Sequence, residues 1–317
     1  MRYSRFLFLI GFALFGFLLW FLGPEKVSGI FATLSKADLL IFAAAIFLIL
    51  PAVIIKGIKQ SVLLKPFGKK ISLKESTQVW LAGYLLGAIS PGRSGDFLRV
   101  VYFKKNFGIK SGNGISAVLL ERILDVGFLL VAGIIGFIYF SVMFGLPQII
   151  IFVLAGVLAV FAVLFFLLTQ KKIMTFLARP FYRRLVPKRL KKRASAAFHD
   201  FYEGLSAFSR HKKNILFALL LTVFSWLLFF VQAFLLALAL KLPLSLAAVS
   251  AVMPAAALAE IVPTIFGIGT RDATMIFFSS FLQISSEAAV SFSLTILVIE
   301  IVQAFFGALF LRKIKNA

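Results

Sequence analysis

Three charged residues follow a helix-breaking dipeptide inside an otherwise apolar stretch of this chain. The stretch reads LGAISPGRSGDFLRVVYFKK over residues 86–105, and the break falls at Pro91-Gly92. The charged residues that follow it are Arg93, Asp96 and Arg99. Guanidinium groups bind phosphate and carboxylate oxygens with two parallel hydrogen bonds. The pattern therefore predicts an anion-binding site, with phosphate as the best candidate anion.

A second stretch, residues 244–285, repeats this order of an apolar half, a break, charges and another apolar half. Its break contains Pro263, and the charges Arg271 and Asp272 follow. The residues predicted to form the two breaks are Pro91, Gly92, Gly95, Pro263, Gly267 and Gly269. We interpret the glycines as conformational, because glycine adopts backbone angles that other residues avoid.

Acidic residues also occur within long apolar segments. Glu121 and Asp125 are four positions apart and therefore share a helix face. An intramembrane charge that faces lipid costs at least about 2.5–3.5 kcal/mol. We expect these acids to face the interior and to pair with the arginines of the breaks. The predicted substrate-binding residues are Arg93, Asp96, Arg99, Glu121, Arg122, Asp125, Glu260, Arg271, Asp272 and Glu300. In a purely structural alternative, the same ion pairs only attach the broken segments to neighbouring helices.

The composition is that of an all-α polytopic membrane protein. The chain has 317 residues, of which 61% are hydrophobic, and its mean hydropathy is +1.03. Apolar runs of about 20 residues, the length that crosses the hydrocarbon, recur along it. There is no cysteine, and the two histidines lie in a polar loop, so we expect no disulfide, metal site or cofactor. The net charge of +22 favours anionic membrane lipids as partners rather than nucleic acid, because basic residues concentrate in cytoplasmic loops. A homo-oligomer remains open.

The hydropathy pattern predicts about six full transmembrane helices and two re-entrant broken-helix hairpins. The full helices are expected at about 5–23, 37–57, 112–140, 148–169, 214–240 and 287–311. Residues 24–36 are expected to form an external loop, and the lysine-rich residues 56–74 a cytoplasmic one. In the basic loop 171–213, aromatic and leucine residues at helical spacing predict an amphipathic helix on the cytoplasmic face.

The two hairpins are predicted to belong to an inverted repeat within one integral membrane domain, 1–317. Repeat unit one spans about 74–140 and unit two about 244–312. Three full helices separate the hairpins, so the second must enter from the opposite face of the bilayer. Inverted repeats with discontinuous helices near the midplane are typical of transporters. The bias of lysine and arginine predicts that both termini lie in the cytoplasm. We expect the membrane to be the cell (plasma or inner) membrane.

The paired motifs resemble the flippase-like membrane domain of the lysylphosphatidylglycerol synthases, over nearly the whole chain. The family pattern P-x-R-x-G-[E/D]-x-x-R, followed by an E-R-x-x-D helix, is matched by Pro91, Arg93, Gly95, Asp96, Arg99, Glu121, Arg122 and Asp125. The second signature, P-x-x-x-G-x-G-x-R-[E/D], is matched by Pro263, Gly267, Gly269, Arg271 and Asp272. This chain has aspartate at 96 and 272, where the family often has glutamate, and Phe266 where glycine is common. The resemblance implies movement of a lipid or a lipid-linked headgroup between leaflets.

Three functions remain open from the sequence. A flippase would bind the phosphate through its arginines, and the acids would neutralise them when the site is empty or carry a coupling proton. An intramembrane lipid-modifying enzyme would use the carboxylates as acid and base. A non-catalytic partner would recruit a soluble lipid-modifying enzyme through loop 171–213. The chain ends at Ala317, so we expect no soluble aminoacyl-transferase domain and no synthase activity.

Overall fold

The chain folds into helices joined by short turns. The computed structural model describes residues 16–17, 20, 23–145, 149–185, 187–262 and 264–312, and no strand occurs among them. The helices are α1 (Pro24–Ser35), α2 (Leu39–Phe47), α3 (Ile49–Leu64), α4 (Leu73–Ala88), α5 (Arg99–Phe107), α6 (Ser111–Phe144), α7 (Ile149–Thr169), α8 (Lys171–Leu185), α9 (Lys188–Arg210), α10 (Lys212–Ala239), α11 (Leu246–Ala259), α12 (Thr270–Ser279) and α13 (Ser286–Leu309). A 3-10 segment, Pro91–Leu98, connects α4 to α5.

Four helical segments in the described part of the chain are long and apolar enough to cross a membrane. They are Leu39–Phe67, Ser111–Phe144, Lys212–Ala239 and Ser286–Leu309. A fifth is added if the bent pair Ala155–Thr169 and Lys171–Leu177 is counted as one span. Large apolar side chains point outward from these segments, with Leu40 82%, Phe47 72% and Val142 76% exposed. Such an exterior suits lipid, and the chain is a membrane protein. The predicted first helix, about 5–23, lies almost entirely outside the described residues.

Two predicted loops are helical instead. Residues 24–36, expected as an external loop, contain α1, which packs on α13. Pro24 at its first position and Glu25 in its first turn both favour a helix start. Residues 56–64, predicted as the beginning of a lysine-rich loop, continue the helix from 37–57 as part of α3. The prediction ended that helix at its first lysines, but Lys59 is fully buried and has an acidic partner on another helix.

The first break separates α4 from α5. Gly92 and Arg93 both adopt left-handed backbone angles, with φ of 57° and 54°. A left-handed angle is unusual for a residue with a side chain, so Arg93 holds a strained conformation. Gly95 is needed for a different reason, since a Cβ there would overlap the carbonyl oxygen of Leu86. The helix therefore stops at Ala88, turns sharply and restarts at Arg99.

The second break separates α11 from α12 and also contains two consecutive residues with left-handed backbone angles. Phe266 and Gly267 are consecutive left-handed residues, with φ of 51° and 66°. Gly269 is also left-handed, and its backbone N–H donates to the Asp272 carboxylate at 2.7 Å, which caps the start of α12. Pro263 lies outside the described residues.

The helices that flank the breaks are α4 and α5 at the first break and α11 and α12 at the second. They pack in a crossed arrangement on the two long helices α6 and α13. The first halves, α4 and α11, pack on α13 and α6 respectively, so each contacts the long helix of the other predicted repeat unit. The second halves, α5 and α12, pack on α6 and α13, the long helices of their own units. Helices that flank each break therefore contact both charged long helices.

The basic segment 171–213 forms α8 and α9. The apolar stripe of α9 packs against α6 rather than lying free, and Tyr202 and Phe208 are buried. Lys110, just before α6, donates to Glu203 of α9 at 2.9 Å. This hydrogen bond is the main reason that the pKa of the Glu203 carboxyl is lowered and that of Lys110 raised.

Candidate functional site

The two breaks meet inside the protein. The backbone N–H of Phe266, in the second break, donates to the carbonyl oxygen of Ala88 at the end of α4, at 3.3 Å. An Arg93 Nη2 atom, in the first break, lies 3.3 Å from the Glu260 carboxylate at the end of α11. Segments that are about 170 positions apart in the chain thus form one site.

Arg271 is the centre of the charge cluster at the second break. Its Nη1 atom donates to Glu300 of α13 at 2.7 Å and to Glu260 at 3.1 Å. Its Nε atom donates to the Ser293 hydroxyl at 3.1 Å. The side chain is only 2% exposed, so these contacts hold the guanidinium in one position.

Arg93 is held less tightly than Arg271. Its side chain is 30% exposed, and its ion pair with Glu260 is the longer of the two that Glu260 forms. The guanidinium lies over the ring of Tyr84, 5.5 Å from the centroid, a cation–π contact. Tyr84 in turn stacks on Trp80. Arg93 is therefore the cation of this cluster that an incoming ligand reaches most readily.

Arg99 forms the core of a second cluster, at the first break. Its Nη1 atom donates to Glu121 of α6 at 3.0 Å and to the side-chain oxygen of Gln60 at 2.8 Å. The other Glu121 oxygen accepts from the Trp80 indole N–H at 2.9 Å. Trp80 contacts this cluster and stacks on Tyr84 of the other, so the two clusters are adjacent.

Arg122 and Asp96 complete the first-break cluster. An Arg122 Nη2 atom lies 2.7 Å from an Asp96 carboxylate oxygen, joining α6 to the 3-10 segment. Asp96 is buried, whereas the Arg122 side chain is 23% exposed. Two buried donors, Arg99 Nη2 and Arg122 Nε, have no hydrogen-bond partner among the described residues. Each of these N–H groups can still donate a hydrogen bond to a further polar group.

Asp125 pairs with two lysines of α3 rather than with an arginine of a break. The ammonium groups of Lys59 and Lys56 lie 2.8 and 3.2 Å from the same carboxylate oxygen. The indole N–H of Trp226, on α10, donates to that oxygen at 3.3 Å. Two cations share one acid here, so this group carries an excess positive charge.

The structure brings most of the predicted substrate-binding residues together at the meeting point of the breaks. Asp272 and Asp125 are exceptions to the predicted pairing with arginines of the breaks, because the Asp272 carboxylate caps its own helix and Asp125 pairs with two lysines of α3. The polar network also contains five residues that were not predicted from the sequence: Lys56, Lys59, Gln60, Trp80 and Trp226. Lys56 and Lys59 are three positions apart and share a helix face, a signal that was available once the helix was extended. No comparable signal marked the tryptophans or Gln60.

The basic and acidic side chains of the site are nearly balanced in number. Among the described residues, no group of three or more His, Cys, Asp or Glu side chains is placed to hold a metal ion. The ion pairs named above join six basic side chains to five acidic ones. The basic members are Lys56, Lys59, Arg93, Arg99, Arg122 and Arg271, and the acidic members are Asp96, Glu121, Asp125, Glu260 and Glu300. The four arginines are matched by four of these acids, and the excess positive charge lies at Lys56 and Lys59 beside Asp125.

One protein-family model matches the chain over residues 8–307, and its description is lysylphosphatidylglycerol synthase TM region. A search of curated proteins finds no match. The matched range includes both breaks, α6 and nearly all of α13, and hence every charged residue of the site.

Proposed function

Because this chain belongs to the family of the lysylphosphatidylglycerol synthase TM region, we propose that it moves an anionic phospholipid, or a lipid-linked phosphate headgroup, between membrane leaflets. The family supports a lipid-related role in the membrane. The observation that carries the more specific proposal is that Arg93 and Arg271, from opposite breaks, share the Glu260 carboxylate. Where two guanidiniums converge on one acid, a phosphate can take the place of the acid at one of them while the acid stays paired with the other.

The proposed cycle begins with exchange at Arg93. The headgroup phosphate displaces Glu260 from this partly exposed guanidinium, while Arg271 remains attached to Glu300. Glu260 then keeps its contact with Arg271, so neither acid is left buried without a cation, which would be costly. The strained backbone at Arg93 fits a residue that changes partners. The acyl or prenyl chains stay in the bilayer throughout.

We further propose that the two hairpins form an inverted repeat with six full spans in total. The crossed packing of α4 on α13 and α11 on α6 supports it, because one helix of each predicted repeat unit then contacts the long helix of the other unit. Both breaks also contain two consecutive left-handed residues. Alternating access would open the shared site to one leaflet and then the other. The basic helices α8 and α9 and both termini would lie on the cytoplasmic side of the cell membrane.

Free donors around the site support a polar cavity rather than a set of purely structural ion pairs. Arg99 Nη2 and Arg122 Nε are buried and have no hydrogen-bond partner among the described residues, and the same is true of both carboxylate oxygens of Asp96, which lies beside Arg122. Structural ion pairs are usually satisfied, since an unmade buried hydrogen bond costs about 1–3 kcal/mol. Water or substrate oxygens in a shared cavity would supply the missing acceptors.

The test is a scrambling assay in liposomes that contain the purified protein and a fluorescent phosphatidylglycerol. Dithionite destroys the label in the outer leaflet, so further loss of signal measures flipping. Wild-type protein should flip the probe, and Arg93→Gln and Arg271→Gln should each lower the rate at least about tenfold, since a loss of about 1.4 kcal/mol suffices. Lys36→Gln, at an exposed position outside the site, is the matched control. Wild-type rates in a folded Arg93→Gln protein would refute the proposal.

The same liposomes distinguish the two competing functions. Mass analysis of the lipids after incubation detects an enzyme, because modification changes the mass of the probe whereas flipping does not. A non-catalytic partner would show neither flipping nor turnover, and deletion of the basic stretch Lys188–Arg193 would abolish its function. The carboxylates of the site favour neither alternative, because their described contacts are with basic side chains, indole N–H groups and, for Asp272, a backbone N–H.

A further inference from the structure

A separate cavity lies between α6, α7, α9 and α10. It has a volume of about 450 Å³, within the range of about 300–1,000 Å³ that small-molecule sites occupy. The residues of α6 that line it, Leu119, Leu120 and Ile123, alternate with Glu121, Arg122 and Asp125. At 100° per residue, these two sets lie on roughly opposite faces of the helix. The cavity is therefore distinct from the charge clusters.

The lining of this cavity changes from apolar inside to polar outside. Buried or half-buried lining residues are mostly hydrocarbon or aromatic, such as Leu120, Phe165 and Phe208. The exposed lining residues are all polar or charged: Thr169, Lys171, Ser206 and Ser209. Such a gradient fits an amphipathic ligand with its hydrocarbon inside and its polar end at the mouth.

The mouth of the cavity lies where the chain turns sharply. The segments Ala155–Thr169 and Lys171–Leu177 are bent by 94°, and the Tyr202 hydroxyl donates to the carbonyl of Leu168 at 3.0 Å beside the bend. An apolar helix that ends in a strongly basic, sharply turned helix marks the level of the lipid headgroups. The polar end of a ligand at this mouth would therefore lie among headgroups.

The charged residue that lines the mouth is Lys171, and the segment that continues from it is strongly basic. Lys171 lines the cavity, forms no ion pair with an acid of the described residues, and has its ammonium group 3.4 Å from His199 Nδ1. Residues 171–213 contain 13 lysines and arginines but only two acids, Asp200 and Glu203. Asp200 and Glu203 both contact Lys110 instead. The mouth therefore complements an anionic headgroup.

We propose that this cavity binds one acyl chain of an anionic phospholipid, with the headgroup phosphate on Lys171. The lipid is a resident of the leaflet next to α8 and α9, and it is not the transported molecule. It fills the space between α9 and α6 behind the helix that carries Glu121, Arg122 and Asp125, and so supports that helix from its apolar side. This site is independent of the proposed transport.

The experiment uses photo-crosslinking in lipid nanodiscs. Full-length protein is placed in phosphatidylcholine discs with a small fraction of phosphatidylglycerol that carries a diazirine on one acyl chain. After illumination, peptide mass spectrometry locates the label. We expect label on the cavity-lining parts of α6, α9 and α10, and much less when the same diazirine chain is on phosphatidylcholine.

Matched variants test whether the label comes from a lipid in the cavity or from lipids at the outer surface of the helices. Leu205→Trp, which fills the cavity, should reduce this label at least about tenfold, equivalent to about 1.4 kcal/mol, and Lys171→Gln should reduce it severalfold. Lys172→Gln and Leu164→Trp are the controls, because neither residue lines the cavity and Leu164 is 60% exposed. If Leu205→Trp does not fold, Ser206→Trp at the mouth takes its place. Unchanged label in the cavity-filling variant, equal label from both lipid classes, or no label on these helices would each overturn the proposal.

Discussion

Arg93 and Glu260 form an ion pair of 3.3 Å across the two helix breaks. They belong to segments that are remote in sequence, and each lies at or beside its own break. Nearby, the Phe266 N–H donates to the carbonyl of Ala88, so the backbones of the two segments also touch. Under the proposed function, such a site would couple the two broken segments to each other, as alternating access requires.

Disulfide crosslinking should detect this contact directly. The chain has no native cysteine, so an Ala88→Cys/Phe266→Cys pair can be oxidised in native membranes without background. We expect efficient crosslinking. After proteolysis between α4 and α11, the two fragments should then remain covalently linked and migrate as one species. The control is Ala88→Cys/Phe277→Cys, because Phe277 is 55% exposed on the outer side of α12. Equal crosslinking of both pairs, or none in the first, would contradict the contact between the breaks.

Loss of one partner of the Arg99–Glu121 pair should cost more than loss of both. Both side chains are buried, with 0% and 2% exposure. Arg99→Met or Glu121→Gln alone leaves one charge without its partner and should lower the free energy of unfolding by about 3–5 kcal/mol. The double variant should recover much of that loss. Denaturant titration in detergent micelles measures all three, and simple additivity of the two single losses would argue against a direct pair.

Asp125 should matter more for stability than either of its lysines. Asp125→Asn leaves Lys56 and Lys59 close together with no described carboxylate contact, because both contact the same Asp125 oxygen. Lys56→Met leaves a complete Lys59–Asp125 pair and removes the more exposed ammonium. We expect a loss of several kcal/mol for Asp125→Asn and under about 1 kcal/mol for Lys56→Met. Thermal unfolding of the purified proteins ranks the two variants by their loss of stability. A larger loss for Lys56→Met than for Asp125→Asn would be inconsistent with this charge balance.

Gly95→Ala should disturb the first break although alanine is small. The new Cβ would overlap the Leu86 carbonyl oxygen, a backbone atom that cannot rotate away. We expect a loss of about 1–3 kcal/mol, as for other overpacked sites, together with slower flipping. Gly156→Ala in α7 is the matched control, since nothing lies within 4 Å of its Cβ position. The control should be neutral or slightly stabilising, and equal losses in both variants would exclude the close approach at Gly95 as the cause.

Several features of the fold follow from local sequence. Apolar runs of spanning length predict the long helices, and the structure places α6 and α10 close to the expected 112–140 and 214–240. Proline and glycine next to charges predict the two breaks. These signals are readable because helix formation and chain reversal depend on neighbouring residues. The prediction of α3 was wrong at its end, since a lysine in a helix that faces an acid looks the same in sequence as a lysine in a loop.

The sequence by itself determined that this is a helical membrane protein with two charged breaks, because the energy of placing apolar and charged groups in a bilayer depends on residue type and spacing. Only the tertiary structure decided the partners: Glu260 is shared by two arginines, Asp125 is shared by two lysines, and Asp272 caps its own helix. Each buried cation requires an acid, but several acids lie at suitable depth. Which one pairs with which depends on how the helices cross, and that depends on packing over the whole domain.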